Sequence, residues 1–263
     1  MKQYSVLMFD SKELNREVRI YLMLPSNYRN TQKRYPVLYM HDGQNLFDAK
    51  TGYKNMTWGI LEAFEENPKL PEVIIVGIEN GGEKRSDELV PIPFNFSNIG
   101  NPEYGEDTYG GKTDDYLRFI VDTVKPFIDK HYRTYKSPKN TGIMGSSFGG
   151  VCSAYAAFKY GEYSSRFGCL SNAWYVIQEA MEDLAYKSNL THVKKFYMDV
   201  GDQEGSSALK SQKYIQSNNK VYEILKEKLE QKKFKYVLAK GAVHNEDAWR
   251  ARFDDVITFL FND

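Results

Sequence analysis

Gly142-Ile143-Met144-Gly145-Ser146-Ser147-Phe148-Gly149-Gly150-Val151-Cys152-Ser153-Ala154-Tyr155-Ala156-Ala157 is the stretch whose reading decides the fold. An apolar run of strand character leads in, and a run of small and apolar residues of helical character leads out. Between them, Gly145-x-Ser147-x-Gly149 forms the sharp strand-to-helix turn that lifts a serine hydroxyl out of the chain as a nucleophile. The two glycines permit a turn too tight for side chains. Phe148 opens the helix, so its N–H is aimed where negative charge would develop on an attacked carbonyl.

Outward from this turn, apolar runs of strand length recur at Val18 to Leu24, Tyr35 to Met40, Val73 to Ile78, Thr141 to Met144, Phe167 to Leu170, Phe196 to Val200 and Tyr236 to Leu238. Helical patterns fall between and after them, at 112–131, 149–160, 176–187, 209–231 and 245–261. Strands alternating with helices predict a mostly parallel central sheet of about eight strands with helices on both faces, and the turn at Ser147 makes the expected version of it an α/β-hydrolase fold. No helix separates the first two runs, so they are expected to pair as an antiparallel N-terminal edge, with Pro25-Ser26-Asn27-Tyr28 in the loop between them. Pro126 should kink or restart the helix of 112–131. The aperiodic region 79–111, rich in Gly, Pro and Asn, is expected to shape the mouth of a pocket over the carboxyl ends of the strands.

At 263 residues the chain suits one domain spanning 1–263. Thirty-five basic residues balance thirty-five acidic ones, which argues against a nucleic-acid binder. Cys152 and Cys169 are too few for a disulfide framework and read as buried thiols. No signal-peptide or membrane-spanning pattern is present, so the expectation is a cytoplasmic protein with no membrane partner. Gly110-Gly111-Lys112-Thr113 imitates the end of a phosphate-binding loop. The required earlier glycine falls on Glu106, and the segment reads instead as a helix start capped by Lys112 and Thr113. No spacing of His, Cys and Asp suggests a metal.

A serine needs a base, and only His41, His131, His192 and His244 are available. In this fold the order along the chain is Ser, acid, His, which removes His41 and His131. His192 precedes its strand, at the far end of the sheet. His244 follows the last strand in the loop Gly241-Ala242-Val243-His244-Asn245 and is the expected base. The acid should lie past Phe196–Val200, where spacing leaves both Asp202 and Glu204 open, while Asp199 sits inside the strand. The second oxyanion donor is expected after Tyr35–Met40, where Gly43 would let the backbone approach the substrate and leave the Gln44 N–H to donate.

Four segments together resemble the esterase D-like family of α/β-hydrolases, which includes feruloyl esterases, S-formylglutathione hydrolases, siderophore trilactone esterases and mycolyltransferases. These are Tyr35-Pro36-Val37-Leu38-Tyr39-Met40-His41-Asp42-Gly43-Gln44-Asn45-Leu46-Phe47; Val76-Gly77-Ile78-Glu79-Asn80-Gly81-Gly82 with Arg85, Glu88 and Pro91; Gly145-Ser146-Ser147-Phe148-Gly149-Gly150; and Gly241-Ala242-Val243-His244-Asn245-Glu246 with Trp249. The resemblance implies Ser147 as nucleophile, His244 as base and backbone N–H groups of Gln44 and Phe148 as the oxyanion hole. It places the acid three residues after Gly201, at Glu204. Ser171-Asn172-Ala173-Trp174 departs from relatives that often carry proline in place of Asn172.

The expected function is hydrolysis of carboxylic esters through an acyl-enzyme, with no cofactor and a small-molecule ester as partner. The abundant tyrosines and phenylalanines suggest an aromatic-lined pocket for aryl, acylated-sugar or siderophore esters. Asn45, Trp58, Arg85 and Trp174 are the candidate substrate contacts, with an Arg85–Glu88 pair as the structural alternative for Arg85. The competing readings are an acyltransferase using the same triad and a non-catalytic binding protein on the same scaffold.

Overall fold

The strand that leads into Ser147 is central to an eight-stranded sheet of order β1-β2-β4-β3-β7-β8-β9-β10. The computed structural model describes residues 4–97 and 107–262. The sheet strands are β1 (Tyr4–Ser11), β2 (Arg16–Met23), β3 (Val37–Met40), β4 (Ile74–Ile78), β7 (Thr141–Ser146), β8 (Arg166–Leu170), β9 (Lys195–Gln203) and β10 (Phe234–Val243). All neighbours from β4 through β10 pair in parallel, whereas β1–β2 and β2–β4 are antiparallel. The antiparallel edge is therefore present but built differently from the expectation. β1 is a strand the apolar runs did not mark, because its exposed positions are as apolar as its inward ones: Val6 and Met8 face solvent. β2 lies against β4 instead of β3, since a hairpin of local runs is not the only way to cover an edge.

Alternate residues along the strands feed two cores, as the two-residue period of a strand requires. Val37, Tyr39, Ile143, Phe167 and Phe196 pack beneath α3 (Thr113–Arg118), α4 (Lys125–His131), α5 (Phe148–Lys159), α6 (Gln178–Lys187) and α7 (Ala208–Lys228). Leu38, Met40, Met144, Leu170 and Tyr197 pack beneath α1 (Ile60–Glu66) and α8 (Glu246–Phe261). In α8 the buried Trp249, Phe253, Val256, Ile257 and Leu260 form one stripe at helical spacing. Asn245 caps that helix by accepting the Ala248 N–H at 3.0 Å.

The helix read over 112–131 neither stops nor restarts at the proline. Its backbone stays helical through a π-helical stretch, Phe119–Val124, that joins α3 to α4 just before Pro126 and accommodates the missing N–H. Region 79–111 contains α2 (Arg85–Leu89) and a two-strand ladder of β5 (Phe94–Asn95) with β6 (Thr108–Tyr109). Residues 98–106 of that region, including Glu106, lie outside the described residues. Lys112 and Thr113 do mark the start of α3, but neither side chain caps it. Gly110 and Gly111, at φ +89° and +88°, turn the chain into the helix instead. No helix among the described residues is long and apolar enough to cross a membrane.

Gly43 begins a 3₁₀ turn, Gly43–Asn45, directly after β3, and a Cβ there would sit 2.6 Å from the Gly77 carbonyl carbon in β4. Its lack of a side chain thus serves contact between backbones of the fold, a different reason from the approach to substrate that the sequence suggested. Gly43→Ala is expected to lower stability by about 1–3 kcal/mol, because neither backbone can give way. Urea unfolding with an unchanged m-value measures it; a midpoint equal to that of the parent would refute the packing account.

Candidate active site

Ser147 stands between β7 and α5 with φ 58° and ψ −122°, a backbone state that a residue with a side chain rarely adopts. Its turn closes tightly. A Cβ on Gly145 would lie 2.7 Å from the His41 ring and 2.9 Å from the Gly149 carbonyl carbon, so the glycine spacing is sterically required. The Ser147 N–H is tied to the Leu170 carbonyl at 2.9 Å. The first N–H of α5, on Phe148, and the N–H of Gln44 in the turn after β3 have no hydrogen-bond partner among the described residues. Both belong to elements whose opening N–H groups have no internal acceptor.

β9 and β10 run side by side, with Gln203 opposite Val243, so Glu204 and His244 leave adjacent strand ends together. His244 Nδ1 and Glu204 Oε2 are 2.6 Å apart. Nε2, on the far side of the ring, is left to the cleft. Glu204 is buried, and its Oε1 accepts the Gly201 N–H at 2.5 Å. Burial works against its charge, yet the His244 hydrogen bond and charge, the Ser171 hydroxyl and the Gly201 N–H together hold the carboxyl below its ordinary range. Asp202, the other acid left open by spacing, instead accepts the Gly241 N–H at 2.7 Å. Asp199 is buried deeper in β9 and paired with Arg252 at 2.8 Å.

The other histidines are occupied elsewhere. His41 Nδ1 meets the Tyr116 hydroxyl at 2.9 Å, and burial drives its pKa down to about 4. His192 packs edge-on against Phe167 near the opposite end of the sheet.

Ser147 and His244 line one cleft of about 820 Å³, together with Gln44, Asn45, Arg85 and residues from the turn of 51–56. Of the candidate substrate contacts, Arg85 reaches this cleft, but its partner is Asp42 and not Glu88. Its guanidinium forks the Asp42 carboxylate at 2.7 and 2.8 Å, while Glu88 is taken by Arg16. Asn45 also borders the cleft, with its amide bridging Glu246 Oε1 and the Tyr53 N–H at 3.0 and 3.1 Å. Trp58 and Trp174 do not face it. Trp58 is buried against Trp249, and Trp174 is wholly buried with its Nε1 on Asn218 Oδ1 at 2.7 Å. Indole area of that size is more strongly held by the core than by a wet cleft.

Nor is the cleft chiefly aromatic among the described residues, of which Tyr53 and Trp249 bring large rings to it beside many polar neighbours. The phenylalanines and most tyrosines went into the two cores. Sequence reasoning missed the turn of 51–56, in which Lys54 and Asn55 hold positive φ of 52° and 56°. It also missed Trp249 and Tyr214 as ring neighbours of His244, at 5.2 and 5.3 Å between centroids. The i, i+5 spacing from His244 to Trp249 across a helix start was the available signal for the first; Tyr214 had none.

The family model described as "Putative esterase" matches residues 11–260. The uncharacterized protein YbbA of Bacillus subtilis (strain 168) is 27% identical over 246 residues, covering 92% of this chain and 92% of its own. An endo-1,4-beta-xylanase/feruloyl esterase of Xylanibacter ruminicola is 23% identical over 90% of this chain and 28% of its own. Among solved structures, the IroE-like serine hydrolase of Shewanella oneidensis superimposes with a TM-score of 0.77 at 22% identity, over 98% of this chain and 80% of its own. The siderophore hydrolase EstA of Aspergillus nidulans does so with a TM-score of 0.74 at 16% identity, over 99% of this chain and 95% of its own.

Proposed function

This chain belongs to the esterase family whose model it matches and is a carboxylic ester hydrolase; we propose that it works through Ser147, His244 and Glu204 by way of an acyl-enzyme. The observation that carries the reading is the 2.6 Å contact between Glu204 and His244 beside the cleft that Ser147 also lines. His244 Nε2 takes the Ser147 proton as Oγ attacks the ester carbonyl. Glu204, ionised, accepts the Nδ1–H and stabilises the imidazolium that forms. The Gln44 and Phe148 N–H groups receive the oxyanion, and His244 then gives its proton to the departing alcohol. Water, deprotonated by the same imidazole, frees the acid.

The polar lining favours an ester with a hydroxyl-bearing or anionic frame, such as an acylated sugar or a catecholate-type ester, over a long alkyl ester. A turnover panel of p-nitrophenyl acetate and butyrate, feruloylated and acetylated sugars, cyclic catecholate trilactones and long-chain p-nitrophenyl esters tests both levels. A burst of nitrophenol equal to the enzyme concentration, followed by steady turnover, is expected with the short esters. Folded protein that shows neither burst nor turnover with any of them would refute the mechanism. A preference for the long chains would refute the substrate class alone.

A further inference from the structure

Ser171, the residue that ends β8's path toward the cleft, is wholly buried, is not glycine, and yet holds φ +46°. Its side chain is crowded with donors. The Oγ accepts the Trp249 Nε1–H at 2.8 Å and an Arg252 Nη2–H at 3.0 Å. A hydroxyl oxygen has two lone pairs and one hydrogen, so with both lone pairs engaged the hydrogen is left for a third partner. The Ser171 hydroxyl favours the charged form of the Glu204 carboxylate, in keeping with a hydrogen turned toward it. The backbone is fixed as well, for the Ser171 N–H donates to Asp199 Oδ1 at 2.9 Å. Asp199 in turn holds Arg252, through Nε at 2.8 Å and Nη2 at 3.3 Å, and accepts the Tyr197 hydroxyl at 3.1 Å.

Building on the triad reading above, we propose that Ser171 is a positioning residue for the Glu204–His244 pair, its hydroxyl aimed at Glu204 by Trp249 and Arg252. The buried Asp199–Arg252 pair is then the anchor of that aim, and not a spare acid. Trp249 acts at two points of the same assembly. Its N–H sets the Ser171 hydroxyl, and its ring stands edge-on to the His244 imidazole at 85°. A serine in a left-handed backbone state is kept here because only a hydroxyl can accept twice and donate once; glycine would suit the backbone better and would do neither.

The groups that face Glu204 and can alter its charge are His244, the Asp199–Arg252 pair and the Tyr214 hydroxyl. Losing the Ser171 donor leaves burial less opposed, so the Glu204–His244 pair should take up its first proton more readily. The acidic limb of the activity profile then moves to higher pH.

Ser171→Gly tests this, because glycine tolerates the positive φ and takes away the hydroxymethyl group that carries the hydroxyl. With p-nitrophenyl acetate, kcat is expected to fall about tenfold to a hundredfold, as for loss of a hydrogen bond to a charged group, with KM within about twofold. The acidic limb of kcat should shift upward. Trp249→Phe keeps a ring beside His244 and deletes the N–H, so it should shift the limb in the same direction with a smaller loss. The double variant should be no slower than S171G alone, since both changes break one chain of contacts. A fully additive double variant, or S171G with parental kcat and parental limb while Ser147→Ala is inactive, would overturn the inference and leave the triad standing. A Ser147→Ala protein that still turns over would overturn the triad itself. If S171G does not fold, the limb of W249F decides: an unmoved limb overturns the proposal.

Discussion

Ser147→Ala is expected to lower ester turnover by about five to six orders of magnitude while leaving the melting temperature nearly unchanged. The serine hydroxyl makes no hydrogen bond among the described residues, and alanine can occupy the same strained turn at no greater backbone cost than serine. Oxyanion donors and the cleft would survive the change, so some acceleration over water should remain. The paired measurement is covalent labelling by a fluorophosphonate, which should vanish in S147A. Labelling that persists, or turnover reduced only a few fold in folded protein, would move the nucleophile elsewhere.

Glu204→Gln should cost about three to four orders of magnitude in kcat, whereas Asp202→Asn should stay within about threefold. The amide of glutamine can present an N–H toward His244 Nδ1, which forces the imidazole to carry its own proton on Nε2. An imidazole protonated there cannot take the serine proton. Asparagine at 202 keeps the Oδ1 that accepts the Gly241 N–H, so the strand end that delivers His244 stays in place. The contrast is measured by kcat for both variants with one short aryl ester. Equal losses in the two would sink the assignment of Glu204, and a larger loss in D202N would transfer the role to Asp202. The lowered carboxyl of Glu204 also fixes a sign for stability. A folded-state value below the unfolded one contributes stability above the unfolded value, and that contribution is lost as pH falls through the folded one.

The elbow was legible because everything it needs is local: two glycines, a serine between them, a strand before and a helix after. The placement of His244 in the cleft that Ser147 lines was legible through order along the chain, since the strand before it and the helix after it fix the end of the sheet where it emerges. The contact of His244 with Glu204 was not legible from spacing, because Asp202 and Glu204 both lie where β9 leaves the sheet. What separates them is a contact across to β10, where Gly241 claims one and His244 the other. Trp58 and Trp174 failed for a related reason: a tryptophan near a strand end reads the same whether it faces solvent or core, and only packing decides. The Arg85–Asp42 fork joins residues far apart in the chain, so the nearer Glu88 looked like the partner. β2 beside β4 was likewise a choice among distant strands that no local pattern records.

Between Ala239 and Val243 the ladder of β10 against β9 slips, with Gly241 at φ +72° and the Asp202 carboxylate pinning the slip from the neighbouring strand. The imidazole thus follows a short irregular splice within an otherwise regular strand. Lengthening or shortening that splice would re-aim the ring over the cleft without dragging any strand along. Descendants of such a scaffold have there an inexpensive place to adjust reach toward bulkier or slimmer esters, while the rest of the architecture holds still.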